Sequence, residues 1–179
     1  MVYVEIARHY RSQLGPQRIA ALVQRIRALP LVRDAQRLQL NFEAVESRRA
    51  DWYALVAALR AQMPATQRLD VTALADWCMH EDFLPRSVDR VVPMLYSLGP
   101  VSPALSRVLD GTQPFPASIC NASLGVTADT LMNVSYGLIS RADRLYVFSS
   151  DAWQAQRYER LLHSLDEIDK AASETSPAF

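Results

Sequence analysis

The run Leu38-Gln39-Leu40-Asn41-Phe42-Glu43 alternates apolar and polar side chains without a break. As a strand it sends Leu38, Leu40 and Phe42 to one face and Gln39, Asn41 and Glu43 to the other. Helices can cover the apolar face, but three consecutive polar groups turned inward on the other need a wet or functional cavity. Strands at the centre of a doubly wound sheet are apolar on both sides. The alternation therefore favours the wall of a barrel, with its lumen as the cavity.

The rest of the chain repeats short period-2 runs followed by helical ones, the pattern of βα units. Strands are predicted at Val2 to Ala7, Leu38 to Glu43, Arg68 to Leu74, Val88 to Tyr96, Ser118 to Leu124 and Arg144 to Ser149. Pro16 starts a helix with Ile19, Leu22, Val23 and Ile26 on one stripe, and Pro30 ends it. Asp51 is placed as the cap of a helix burying Trp52, Leu55, Val56 and Leu59, closed by Pro64. The link Glu81 to Leu84 holds at most a short helix. Pro93 costs its strand one ladder hydrogen bond unless a bulge or an edge accommodates it. Further helices are expected from Ser102-Pro103 to about Leu109, stopped by Asp110-Gly111, and from Thr127 to Ser140. A last one, from Trp153 towards Ala172, should turn Tyr158, Leu161, Leu162, Leu165 and Ile168 inward. The expected fold is α/β, a parallel (β/α) barrel-like domain over residues 1–172 with a frayed tail at 173–179. It is incomplete, about six of the eight βα units of a full barrel, with the N-terminal two missing before Met1.

Charge narrows the partners. Cations and anions balance at 19 each and the 19 cations are all Arg except Lys170, so no long-range field draws nucleic acid or an anionic membrane. No run approaches the ~18 apolar residues of a membrane span, and Met1-Val2-Tyr3-Val4-Glu5 has no secretion-signal pattern. The chain as written reads as cytoplasmic, or as secreted or cell-envelope if an upstream signal is missing. Cys78 and Cys120 lack metal-ligand spacing. They form one bridge if the protein is exported and are ordinary thiols otherwise. Neither a cofactor nor a metal is expected.

In a barrel the functional pocket lies at the carboxyl ends of the strands. That rule selects Glu43, then Asp76, Trp77 and His80 after the third strand, Tyr96 and Ser97 at the fourth, Asn121 and Ser123 near the fifth and Trp153 after the sixth. Arg8 and His9 follow the first. Carboxylates, amides and flat rings at one mouth suit a sugar, which needs an acid at its glycosidic oxygen and faces to stack on. Each has a plainer reading: Glu43 as a structural carboxylate paired with an Arg, Trp77 and Trp153 as rim packing, His9 and His80 as loop residues.

Five motifs occur in order: Gln39 to Ala44, Val71 to Cys78, Val88 to Tyr96, Cys120 to Gly125, and Leu145 to Phe148 with Trp153. Across residues 36–155 their order resembles a bacterial domain family of unknown function, which itself looks like a remote relative of chitinase-type glycoside hydrolase barrels. In those enzymes the fourth barrel strand carries Asp-x-Asp-x-Glu, its Glu the acid and its middle Asp assisting the substrate's acetamido group, and the sixth carries Met-x-Tyr-Asp. The resemblance puts Glu43 in the acid position, Asn41 in that of the assisting Asp and Gln39 in that of the first Asp. Met94 and Tyr96 match the sixth-strand pattern and Ser97 departs from it. Uncharged Asn41 and Ser97 remove the anion that substrate-assisted cleavage uses.

The function expected is a glycoside-hydrolase-like barrel that binds or hydrolyses a polysaccharide or oligosaccharide. Catalysis falls to Glu43 and Asn41, and substrate binding to Gln39, Asp76, Trp77, His80, Met94, Tyr96 and Trp153. The alternative is a carbohydrate-binding or scaffold protein that keeps the barrel without the chemistry. Exposed sheet edges are also candidate sites of self-association.

Overall fold

Six period-2 segments pair in the order in which they occur along the chain. In a computed structural model, which describes residues 2–5, 14–41, 49–96, 98–149 and 154–175, the strands are β1 (Val2–Glu5), β2 (Arg37–Asn41), β3 (Arg68–Leu74), β4 (Arg90–Met94), β5 (Ser123–Thr127) and β6 (Arg144–Phe148). All neighbours are parallel and the sheet order is β1-β2-β3-β4-β5-β6. Each strand pairs with the next one along the chain, the order produced when successive βα crossovers step in the same direction and place their helices on one face. The fold is mixed α/β with an all-parallel sheet of barrel-like winding.

Helices α1 (Pro16–Ala28), α2 (Pro30–Asp34), α3 (Arg49–Ala61), α4 (Pro103–Leu109), α5 (Tyr136–Ile139) and α6 (Ala155–Thr175) complete the described regular structure, together with 3₁₀ turns after β3 and around β5. Ile19, Val23 and Ile26 of α1 and Trp52, Leu55, Val56 and Leu59 of α3 share one core cluster with Leu38, Leu40, Leu69, Val71, Val91, Leu124 and Val126. These strand residues are alternate ones, so they mark the helix-covered face. On the other face stand Gln39, Asn41, Asp70, Thr72, Arg90, Val92, Met94, Ser123, Gly125, Tyr146 and Phe148, aligned by the strand register. That face is concave. The Tyr146 hydroxyl of β6 reaches Asp70 Oδ2 of β3 at 3.5 Å, although three strand spacings in a flat sheet would separate them by about 14 Å. Curling closes that gap.

Pro93 explains the thinnest part of the ladder. Leu95 N–H donates to the Gly125 carbonyl at 2.8 Å, and Pro93, two residues earlier on the same edge of β4, has no N–H to give. Pairing of β4 with β5 is confined to Met94 opposite Gly125. The lost bond is thus taken inside the sheet, since β4 lies between β3 and β5 and is not an edge strand.

Several boundaries differ from expectation for local reasons. Pro30 ends α1 but also opens α2, since proline suits a first helical turn. Asp51 lies inside the first turn of α3, and its carboxylate accepts from Leu14 N–H at 3.2 Å. Residues Ser118–Cys120 form a 3₁₀ turn and β5 starts only at Ser123. Asn121 causes the delay by bracketing the Phe115 backbone, Oδ1 accepting at 2.8 Å and Nδ2 donating at 2.9 Å. Thr127 ends β5 instead of starting a helix; Thr130 Oγ1 takes its N–H at 3.1 Å, and the expected helix shrinks to a 3₁₀ turn and α5. On α6, Leu161, Leu165 and Ile168 pack on the core while Tyr158 and Leu162 face solvent. Elsewhere Ser102 caps α4 through Leu105 N–H, and Gly111 takes the positive φ that stops it. Cys78 and Cys120 are joined as a disulfide, 42 residues apart in sequence. Among the described residues no helix is long and apolar enough to cross a membrane.

Candidate functional site

The described helices pack on the opposite face of the sheet, and several polar side chains of the concave face pair with one another. Asp70, fully buried, accepts from Arg37 Nη1 at 2.5 Å. That hydrogen bond, opposed by partial desolvation and helped by the carboxylate's charge, raises the already high pKa of Arg37. Beside this pair Thr72 Oγ1 donates to Asn41 Oδ1 at 2.5 Å, and both residues are buried. Gln39 is only 1% exposed, yet neither its amide nitrogen nor its oxygen has a hydrogen-bond partner among the described residues. Arg90 Nη1 and Ser123 Oγ are buried without one as well. Register aligns Gln39, Asp70 and Arg90 across β2, β3 and β4. The row mixes satisfied and unsatisfied polar atoms, which is unusual for a structural interior.

Toward the carboxyl ends the same face turns apolar and aromatic. Met94 is 1% exposed, and the Tyr96 and Phe148 rings meet at 5.6 Å between centroids. Gly125 permits this. A Cβ there would lie 3.2 Å from Phe148 Cε2 and from Val92 Cγ1, and 3.3 Å from the Pro93 carbonyl oxygen.

The structure brings together Gln39, Asn41, Met94 and Tyr96 of the residues expected to form the site. Asp76, Trp77 and His80 sit apart from them, in the turns after β3. Trp77 is buried in the helix-side core, 5.0 Å from the Trp52 ring, and the Arg49 guanidinium lies 5.9 Å from the Trp77 ring and 3.6 Å from that of Phe83. His80 is exposed and packs on Phe83 at 4.6 Å, and Asp76 is exposed. Glu43 and Trp153, like Arg8, His9 and Ser97, lie outside the described residues. Sequence reasoning missed Asp70, Thr72 and Tyr146. The signal was present in Arg68-Leu69-Asp70-Val71-Thr72-Ala73-Leu74, whose alternation places Asp70 and Thr72 beside Gln39 and Asn41 by the rule that singled out β2.

One further carboxylate has a defined structural role. Asp89 Oδ2 accepts from Leu69 N–H at 2.8 Å while Oδ1 takes Arg68 Nη1 at 2.7 Å, tying the entry of β4 to that of β3. Burial pushes its carboxyl up, but the Leu69 N–H, Arg68 and Arg60 together outweigh burial and hold it below the usual carboxylate range. Compared with protein-family models, curated proteins and solved structures, the chain matches none.

Proposed function

We propose that this protein is a glycoside-hydrolase-like barrel protein that binds a polysaccharide or oligosaccharide on the concave face of its sheet and, with Glu43 as general acid, hydrolyses it. The reading takes the six-strand arc as part of an eight-unit barrel. The observation that carries it is Gln39, an amide sunk in the concave face with donor and acceptor both unpartnered among the described residues, level with half-buried Arg90. Sugar hydroxyls donate and accept at once and so match such a row. The Tyr96 and Phe148 rings at the carboxyl end supply flat surface for a pyranose.

One observation favours the non-catalytic alternative. Asn41, where the resemblance wants an assisting carboxylate, is uncharged and engaged by Thr72. Incubating the protein with a panel of polysaccharides and measuring retention and new reducing ends separates the two. Hydrolysis should yield reducing ends that fall by about 10²–10⁴-fold in Glu43→Gln, whereas a glycan retained intact supports binding alone. If no glycan is retained and none is cleaved, the proposal fails. The same reading takes β1 and β6, each with one strand neighbour among the described residues, as edges for self-association; a sharply monomeric species in sedimentation removes that part.

A further inference from the structure

At the opposite end of the strands, where the barrel rule places stability and not chemistry, lies a hollow of about 730 Å³. Arg37, Arg68 and Arg144, the first residues of β2, β3 and β6, line it together with Arg33 of α2, facing a single carboxylate, Asp34. Once the carboxylates Asp70 and Asp89, which pair with two of these arginines from outside the hollow, are counted with Asp34, the guanidiniums still outnumber the acids around it. Two of the four are committed, Arg37 to Asp70 and Arg68 to Asp89. Arg33 and Arg144 are exposed and have no ion-pair partner among the described residues.

The wall around them is fixed. Gln67, 4% exposed, donates to the Val32 and Ala35 carbonyls at 2.6 and 2.7 Å and accepts from Arg27 at 2.9 Å. Arg60 Nη1 holds the Gln67 carbonyl at 2.8 Å, and Arg68 N–H bonds to the Gln36 carbonyl at 2.9 Å. Elements distant in sequence therefore hold like charges at one rigid concavity, at a cost in repulsion that an anion would cancel. Arginine's planar fork suits oxyanions in particular, and the volume is that of a small-molecule site.

We infer that this hollow binds a sugar-sized molecule carrying two or more oxyanion groups, a phosphate or sulfate ester, with Arg33 and Arg144 as its principal contacts. The site lies at the opposite end of the strands from the proposed glycan face and stands or falls independently of it. Calorimetric titration of the full chain with fructose 1,6-bisphosphate, with a disulfated disaccharide and with an uncharged disaccharide tests it. At low salt at least one of the anions should bind saturably with Kd below about 1 mM, weaken as salt is added and bind at least about tenfold more weakly to Arg33→Ala/Arg144→Ala. The stronger of the two anions identifies phosphate or sulfate as the group. Both replaced side chains are exposed, so thermal melting of the double variant should match wild type; if it falls, Arg144→Gln alone is read the same way. Absence of saturable anion binding, equal binding of the uncharged disaccharide, or unchanged affinity in the variant overturns the inference.

Discussion

On the helix side of β2 and β3, Leu38, Leu40, Leu69 and Val71 are buried with nothing to satisfy, while on the hollow side Gln39, Asn41, Asp70 and Thr72 are buried as deeply and each needs a partner. The same strands thus face two kinds of interior. Apolar burial is non-directional, so the helix side depends on volume and tolerates rearrangement. Polar burial is directional, so the hollow side depends on which atom meets which. A site is more readily built from the second.

The largest effect should come from the helix side. Trp52, with no exposed surface, packs against Trp77 at the centre of the core, and Trp52→Ala should cost about 3–5 kcal/mol in urea unfolding. A smaller loss would show that the helix layer does not carry the core. Next comes the hollow side: Asp70→Asn strips the Arg37 guanidinium of its carboxylate, at a cost of about 3 kcal/mol. Adding Arg37→Met should recover much of that loss, because the loss comes from leaving one partner unpaired. If Asp70→Asn behaves like a surface substitution, the contrast between the faces collapses.

Toward the carboxyl end of the concave face, Gly125→Ala pushes a methyl group against Phe148, Val92 and the Pro93 carbonyl. The half-buried ring can shift but the backbone oxygen cannot, so a cost of about 1–2 kcal/mol is expected by thermal unfolding. The smallest effect belongs to the rim. Asp89, whose pKa is lowered on folding, contributes stability that is present above the ordinary carboxylate pKa of about 3.9 and is lost as pH falls through its folded value. Asp89→Asn should therefore cost about 1 kcal/mol at neutral pH. Melting curves of variant and wild type should converge on acidification below about pH 4; a gap that persists there would reassign the effect to packing.

Period-2 alternation made the sheet legible. β3 begins and ends where the pattern says, and Gln39 and Asn41 turn inward as read, because alternation reports the face a strand presents. What escaped was set by single hydrogen bonds between residues not periodic with one another. Asn121 delays β5 by holding Phe115, and Thr130 ends it by capping Thr127, effects that composition around Ser118 and Thr127 does not encode. On α6, the stripe that includes Tyr158 and Leu162 is wider than the face the core covers. The Arg37–Asp70–Tyr146 cluster depends on curl, which brings β6 over β3; no local pattern states how tightly a sheet bends.

The Cys78–Cys120 bridge closes a loop that contains β4 and α4. A protease that nicks the chain once anywhere inside that loop severs the backbone but releases nothing, since both fragments remain covalently joined. Such a cut is silent on a non-reducing gel and appears as two bands only when a thiol reductant is added.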